Sequence, residues 1–239
     1  MKKFILLLAT ILFFVPTQSF AGGDPLDQAK LLFERGDSWH AIDVLDNALR
    51  ENPGDAALNY EAGLLYLKAI ATDRADNALD FACKLDKRKC HKVGEAYYAQ
   101  AFSLLNKGRD RKIPLHNLKQ CFKHTPGKKD QATKIIFSDG KKLLSLGHHD
   151  RAMTYFFLLR NLTKEYDEQV ITTLIESMDK ADPQMALSLS RDLIRFSPKH
   201  KGRVAKHLWK LSKNEEISKS LRFAFEQEAC RHLSRTELK

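Results

Sequence analysis

Glycine and proline are scarce in this chain of 239 residues, at 11 and 7 respectively. That scarcity excludes a collagen-like or Pro/Gly-rich low-complexity protein. Four cysteines are too few for a small fold stapled by disulfides. Long apolar runs are missing too. The one clear run, Phe4 to Val15, falls short of the roughly 20 residues that cross a bilayer, so no transmembrane span is expected in the mature chain. Catalytic signatures are absent: there is no G-x-S-x-G, no H-E-x-x-H, no phosphate-cradling glycine loop and no C-x-x-C-H. The sequence therefore reads as non-catalytic, with no catalytic residue, no cofactor and no metal expected. What it does hold is apolar and charged material, 43% and 29%, enough to fill a core and to exclude a disordered chain.

Residues 1–21 read as a cleaved export signal. Lys2 and Lys3 form a positive start, the apolar run follows, Pro16 breaks it, and Ser19-Phe20-Ala21 places small residues before Gly22. A periplasmic or secreted location follows, with residues 22–239 as one helical domain. No cysteine follows the run to carry a lipid.

Charge is unevenly placed. Residues 22–83 hold 5 basic and 12 acidic side chains, residues 84–134 hold 14 and 4, and residues 135–239 hold 19 and 14. Asymmetry of this kind speaks to partners and not to fold.

Small and turn-forming residues recur. Gly36, Gly108 and Gly147 each close an apolar-periodic stretch, and Pro53, Pro126 and Pro198 each follow the next one. Ala41, Ala78, Leu115, Ala152 and Ala186 are spaced by 37, 37, 37 and 34. Between these marks the apolar residues follow helical spacing, as at Ala41, Val44, Leu45, Ala48 and Leu49. Asp182-Pro183 predicts a helix start, and Asn214 before Glu215-Glu216 predicts another with acids in its first turn. No sustained period-2 run predicts a sheet. The expectation is an all-α chain of about twelve helices in pairs, against a non-repeating helical bundle as the alternative.

Glu34-Arg35-Gly36-Asp37 with Ala29, Ala41, Leu45, Ala48 and Pro53 resembles a tetratricopeptide repeat. So do Ala62-Gly63, Tyr66, Ala78 and Ala82, then Gly140, Leu143, Gly147, Ala152 and Phe156, and last Ala186, Leu193 and Pro198. The third and sixth units depart from the pattern by lacking the second small residue. Ala82-Cys83-Lys84-Leu85 through Cys90 to Gly94-Glu95-Ala96-Tyr97 resembles the junction of Sel1-like repeats, where a Cys late in one pair bonds a Cys opening the next. The resemblance implies a right-handed α-solenoid of about six antiparallel helix pairs.

Export favours a disulfide between Cys83 and Cys90, which flank a short turn. Two other readings stay open: unpaired thiols, or a structural zinc site built from Cys83, Cys90 and the Cys121-x-x-His124 pair. Cys121 and Cys230 have no obvious partner. His148-His149-Asp150 and Cys230-x-His232 place neighbours on different helix faces, which suits a solvated turn better than a ligand set.

In the family it resembles, first helices line a partner groove. Carried over, that pattern implies Tyr60, Leu64, Lys68, Tyr98, Phe102, Phe137 and Lys141 here, with plugs between pairs as the plainer role for the aromatics. Lys87, Arg88, Lys89, Lys128, Lys129, Lys199, Lys201 and Arg203 lie at turns that would share one edge, where cations of one sign attract anions. The function expected is an exported scaffold for protein–protein contacts in the cell envelope, with a protein or peptide partner. A module for anionic polymers or lipid headgroups is the alternative, and an accessory subunit of an envelope enzyme complex is a further one. Head-to-tail pairing of the acidic block with the basic block of another copy is also open. Nucleic acid is not expected as a partner, since no base-reading motif is present.

Overall fold

The computed structural model describes residues 23–108 and 111–233. The export signal read at 1–21 lies outside the described residues. These residues form twelve α-helices and one short 3₁₀ turn, Pro198–His200, and no strand occurs among them. The described residues divide into two compact units, the first ending at Pro53 and the second beginning at Gly54.

The first unit is one packed pair, α1 (Pro25–Glu34) and α2 (Ser38–Glu51). Ala29 and Ala41, both fully buried, supply small side chains at this contact. Asp24 caps α1 by accepting from the Leu26 N–H, and Asp37 caps α2 by accepting from the His40 N–H. A hydrogen bond with the His40 ring holds the Asp37 carboxyl below the usual carboxylate range.

The second unit holds α3 (Ala56–Lys68), α4 (Thr72–Leu85), α5 (Lys89–Asn106), α6 (Lys112–His124), α7 (Lys128–Ser145), α8 (His149–Leu162), α9 (Asp167–Lys180), α10 (Pro183–Phe196), α11 (Lys201–Ser212) and α12 (Lys219–Cys230). Each helix packs most heavily on the one beside it in sequence, giving five adjacent pairs. From α5 to α12 one apolar core runs on from pair to pair, through Ala101, Leu118, Ile136, Phe156, Leu174, Leu193, Leu208 and Phe225. This is the continuity that stacked pairs need, since no pair can cover its own apolar face.

Close approach within the pairs depends on missing side chains. A Cβ on Gly63 would stand 2.6 Å from Leu79 Cγ, and a Cβ on Gly140 would stand 2.6 Å from Phe156 Cε1. Leu79 and Phe156 are each the eighth residue of their helices and each fully buried. The same large-into-small contact thus holds α3 to α4 and α7 to α8.

The first helices end in a shared turn. Gly108 and Gly147 close α5 and α7 with φ of 68° and 79°. After α3 that slot is held by Ile70, with φ of 63°. The hydrogen bonds are equivalent: Ile70 N–H to Leu67 O and Ala71 N–H to Tyr66 O match Gly147 N–H to Leu144 O and His148 N–H to Leu143 O. A β-branched residue is strained in this region by about 1–2 kcal/mol. Part of the relief in Ile70→Gly would be offset by the freer unfolded chain and the lost side-chain packing. We expect Ile70→Gly to stabilise the protein by about 0.5–1 kcal/mol, read as a higher urea midpoint with an unchanged slope.

Two sequence expectations need correction. The buried alanine on the fourth residue of α4, matching Ala41, Ala152 and Ala186, is Ala75 and not Ala78, which lies one turn later. The even spacing of 37 is therefore not the structural one, because the α3–α4 pair is shorter. In the third pair Leu115 is half-buried and its neighbour Pro114 takes the buried place. The helix start read at Asn214 is a turn instead. The Asn214 side chain accepts from the Glu216 N–H, and α12 begins only at Lys219. An Asn bonding the backbone two residues on favours such a turn over a helix. The start at Asp182 is as expected, with Asp182 accepting from the Met185 N–H ahead of Pro183.

Candidate functional site

Tyr60, Leu64 and Lys68 lie on α3, Tyr98 and Phe102 on α5, and Phe137 and Lys141 on α7. Tyr60, Leu64, Tyr98, Phe102 and Phe137 are half-buried, while Lys68 and Lys141 are exposed. The aromatics meet the start of the next first helix. Lys89 Nζ sits 5.0 Å from the Tyr60 ring centroid, and Lys128 Nζ sits 5.1 Å from that of Tyr98. At the third position Phe137 meets the Tyr166 ring, 5.2 Å away, and the Lys141 ammonium at 5.7 Å. A cation over an aromatic face is held by the ring quadrupole. Partial burial raises the phenol pKa of both Tyr60 and Tyr98. Phe102 leans on Tyr98 with centroids 4.7 Å apart, and Phe137 also touches Phe156. Phe137 is thus a plug between pairs, whereas Tyr60 and Tyr98 join ring and cation at a surface.

Beside Lys141 a cavity of about 490 Å³ opens between α7 and α9, lined also by His149, Thr173, Ser177 and Lys180. One large apolar side chain that the sequence pattern does not single out, Trp39 on α2, is 79% exposed.

The basic residues open helices. Lys89 starts α5, Lys128 and Lys129 start α7, and Lys199, Lys201 and Arg203 lie in or next to the first turn of α11. None of these three helices has a side-chain cap. Cations here add to the positive end of the helix dipole where acids would be favoured. Neighbouring acids answer some of them. Lys128 pairs with Glu95 at 2.9 Å, Arg88 with Asp86 at 3.0 Å and Arg203 with Glu168 at 3.5 Å. Arg203 of α11 thus faces Glu168 at the start of α9, while Lys87 and Lys129 stay exposed.

Sequence reading missed a polar network between α4, α5 and α6. Asp76 accepts from the Tyr97 hydroxyl at 2.6 Å and from Gln120 Nε2 at 2.7 Å, and His116 Nε2 lies 2.9 Å away. One turn on, Asp80 pairs with Lys123 and sits 2.9 Å from His124 Nε2. The signal was present as acids at i and i+4 on α4 facing a polar stripe, His116, Gln120, Lys123 and His124, on α6. These contacts also join the acidic and basic blocks within one chain.

Cys83 and Cys90 are joined as a disulfide, with Cα atoms 4.8 Å apart. A bridge over this short loop stabilises by about 2–3 kcal/mol. His124 comes to it, and the two sulfurs and one ring nitrogen lie within 4.8 Å of one another. Cys121 does not join them. It is buried, its Sγ 3.3 Å from Thr125 Oγ1, and burial pushes its thiol pKa up. Cys230 is exposed. His148 and His149 are not brought together with a third ligand among the described residues.

Burial pushes the His124 imidazole below its ordinary range, against the opposing pull of Asp80, and does the same to His207 beside Asp179. Folding therefore favours the neutral form of both rings. Their contribution to stability is complete above the unfolded histidine pKa of about 6.5 and is lost progressively as pH falls below it. We expect a lower urea midpoint at about pH 5.5 than at about pH 7.5, and a smaller drop in His124→Gln.

No known protein family and no curated protein matches the chain. Among the described residues no helix is long and apolar enough to cross a membrane.

Proposed function

We propose that this is an exported helical-repeat protein of the tetratricopeptide or Sel1-like kind, non-catalytic, which scaffolds protein–protein contacts in the cell envelope. In this reading the pairs run antiparallel and wind into a right-handed solenoid whose first helices carry the partner. One observation carries it: the ring-and-lysine unit recurs between successive first helices, Tyr60 with Lys89 and Tyr98 with Lys128. Rigid aromatics beside cations suit a surface that anchors a peptide or protein. The bridge between Cys83 and Cys90, across the junction of two pairs, agrees with a Sel1-like repeat and with an oxidising compartment.

A second reading has its own support. The uncapped, lysine-bearing starts of α5 and α7 would favour anionic polymers or lipid headgroups. The two readings separate in a cross-linked pull-down from native envelopes. Tyr60→Ala/Tyr98→Ala removes the rings, while Lys87→Glu/Lys129→Glu reverses edge charge without touching the lysines over the rings. A protein partner lost only with the rings, and held above roughly 0.3 M salt where exposed charge contacts are screened, supports the scaffold. Recovery of lipid or polymer alone, lost with the lysines, overturns it.

A further inference from the structure

The disulfide beside His124 sits in a surface cavity of about 350 Å³ that Asp80 and Lys123 also line. Such a bridge needs no imidazole. The His124 side chain is only 6% exposed. Asp80 Oδ1 lies 2.9 Å from its Nε2. One ring nitrogen of His124 and the two sulfurs lie within 4.8 Å of one another, close enough for one ion to reach all three once the sulfurs are freed.

Three soft or borderline donors thus converge on one cavity. We propose that Cys83, Cys90 and His124 form a metal site for Zn²⁺ or a similar thiophilic divalent cation, which exists only when the disulfide is reduced. In the oxidised protein both sulfurs are bonded to each other, and neither is a thiolate. A dithiol reductant changes this by thiol–disulfide exchange: the Cys83–Cys90 bond breaks, a sulfur–sulfur bond forms in the reductant, and two electrons pass to the protein sulfurs. Metal binding then releases the two thiol protons to solvent, and two thiolates neutralise the divalent charge. Two sulfurs and one nitrogen make a three-ligand site with its fourth position open to water. The site is thus a redox-gated metal switch, independent of the scaffold reading.

The test uses purified protein carrying Cys230→Ser, which removes the exposed thiol. After reduction by a phosphine, one equivalent of Co²⁺ should give a thiolate-to-cobalt charge-transfer band with intense tetrahedral visible bands. Zn²⁺ should bleach both, and the oxidised protein should show neither. His124→Ala should keep its helical circular dichroism and bind Zn²⁺ at least about 10-fold more weakly in competition with a chromophoric chelator, since even groups that only orient ligands are worth that much. Absence of the band in the reduced protein overturns the proposal, and this reading needs no substitution within the site. Equal Zn²⁺ affinity in His124→Ala, or a band that Cys121→Ser abolishes, overturns the ligand set.

Discussion

Phe156→Ala is expected to lower the unfolding free energy by about 3–5 kcal/mol. The ring is fully buried and lies against the one face of α7 that has no side chain, with Cε1 2.6 Å from the place where a Cβ on Gly140 would stand. Removing it leaves a cavity between α7 and α8 and takes away contacts with Phe137. Gly140→Val attacks the same contact from the other side. A ring is stiff and cannot yield as a flexible chain end can, so overpacking should cost about 1–3 kcal/mol. The decisive quantity is the double variant. If ring and glycine are one interlocked pair, the valine side chain moves into the space the ring leaves. The combined loss should then fall short of the sum by about 1 kcal/mol or more. Urea denaturation of the four proteins measures this. Additivity within about 0.5 kcal/mol would mean that the helices separate locally around the introduced valine, and that the large-into-small contact does not set their distance.

That contact was half legible in the sequence. Gly140 with Phe156, and the glycines after α5 and α7, stand out because small and turn residues are chosen by backbone geometry, which leaves a fixed mark in the chain. Ile70 leaves no such mark. It takes the left-handed turn position that Gly108 and Gly147 take elsewhere, so the end of α3 is invisible to a search for glycine, and the α4 register slides from Ala75 to Ala78. Asn214 misleads for a related reason: an Asn before two acids serves a helix start and a turn equally well, and only the Glu216 N–H decides. The polar network is hidden differently. Asp76 and Asp80 meet side chains about forty residues away, and hydropathy says nothing about which distant residue a carboxylate chooses. The repeat pattern puts Tyr60, Tyr98 and Phe137 on first helices, yet in the sequence the lysines over two of these rings read as a separate edge. In the folded chain ring row and cation edge meet at Lys89 and Lys128.

Asp76→Ala should have an effect nearly as large as loss of the Phe156 ring, although no apolar contact is lost. The carboxylate is 19% exposed and binds α5 and α6 to α4 at once. It accepts from the hydroxyl of Tyr97, a residue with 1% of its surface exposed, and from Gln120, with His116 alongside. Hydrogen bonds to a charged group contribute about 1.5–3 kcal/mol, and a buried hydroxyl left without a partner costs about 1–3 more. We expect about 3 kcal/mol of destabilisation in total, since the two sums overlap. Most of it should trace to the stranded Tyr97 hydroxyl. Tyr97→Phe in the Asp76→Ala background should therefore recover stability, by about 1 kcal/mol, although the same change in the wild-type protein should reduce it. A reversal of sign between the two backgrounds is a result that simple loss of packing cannot give. Tyr97 also stacks flat on His124, with centroids 6.3 Å apart. Loosening Asp76 should thus reach the disulfide cavity, and amide hydrogen exchange should quicken across α4, α5 and α6 together while α9 to α12 keep their protection. Exchange that quickens in α4 alone would mean that Asp76 serves its own helix and does not tie the three together.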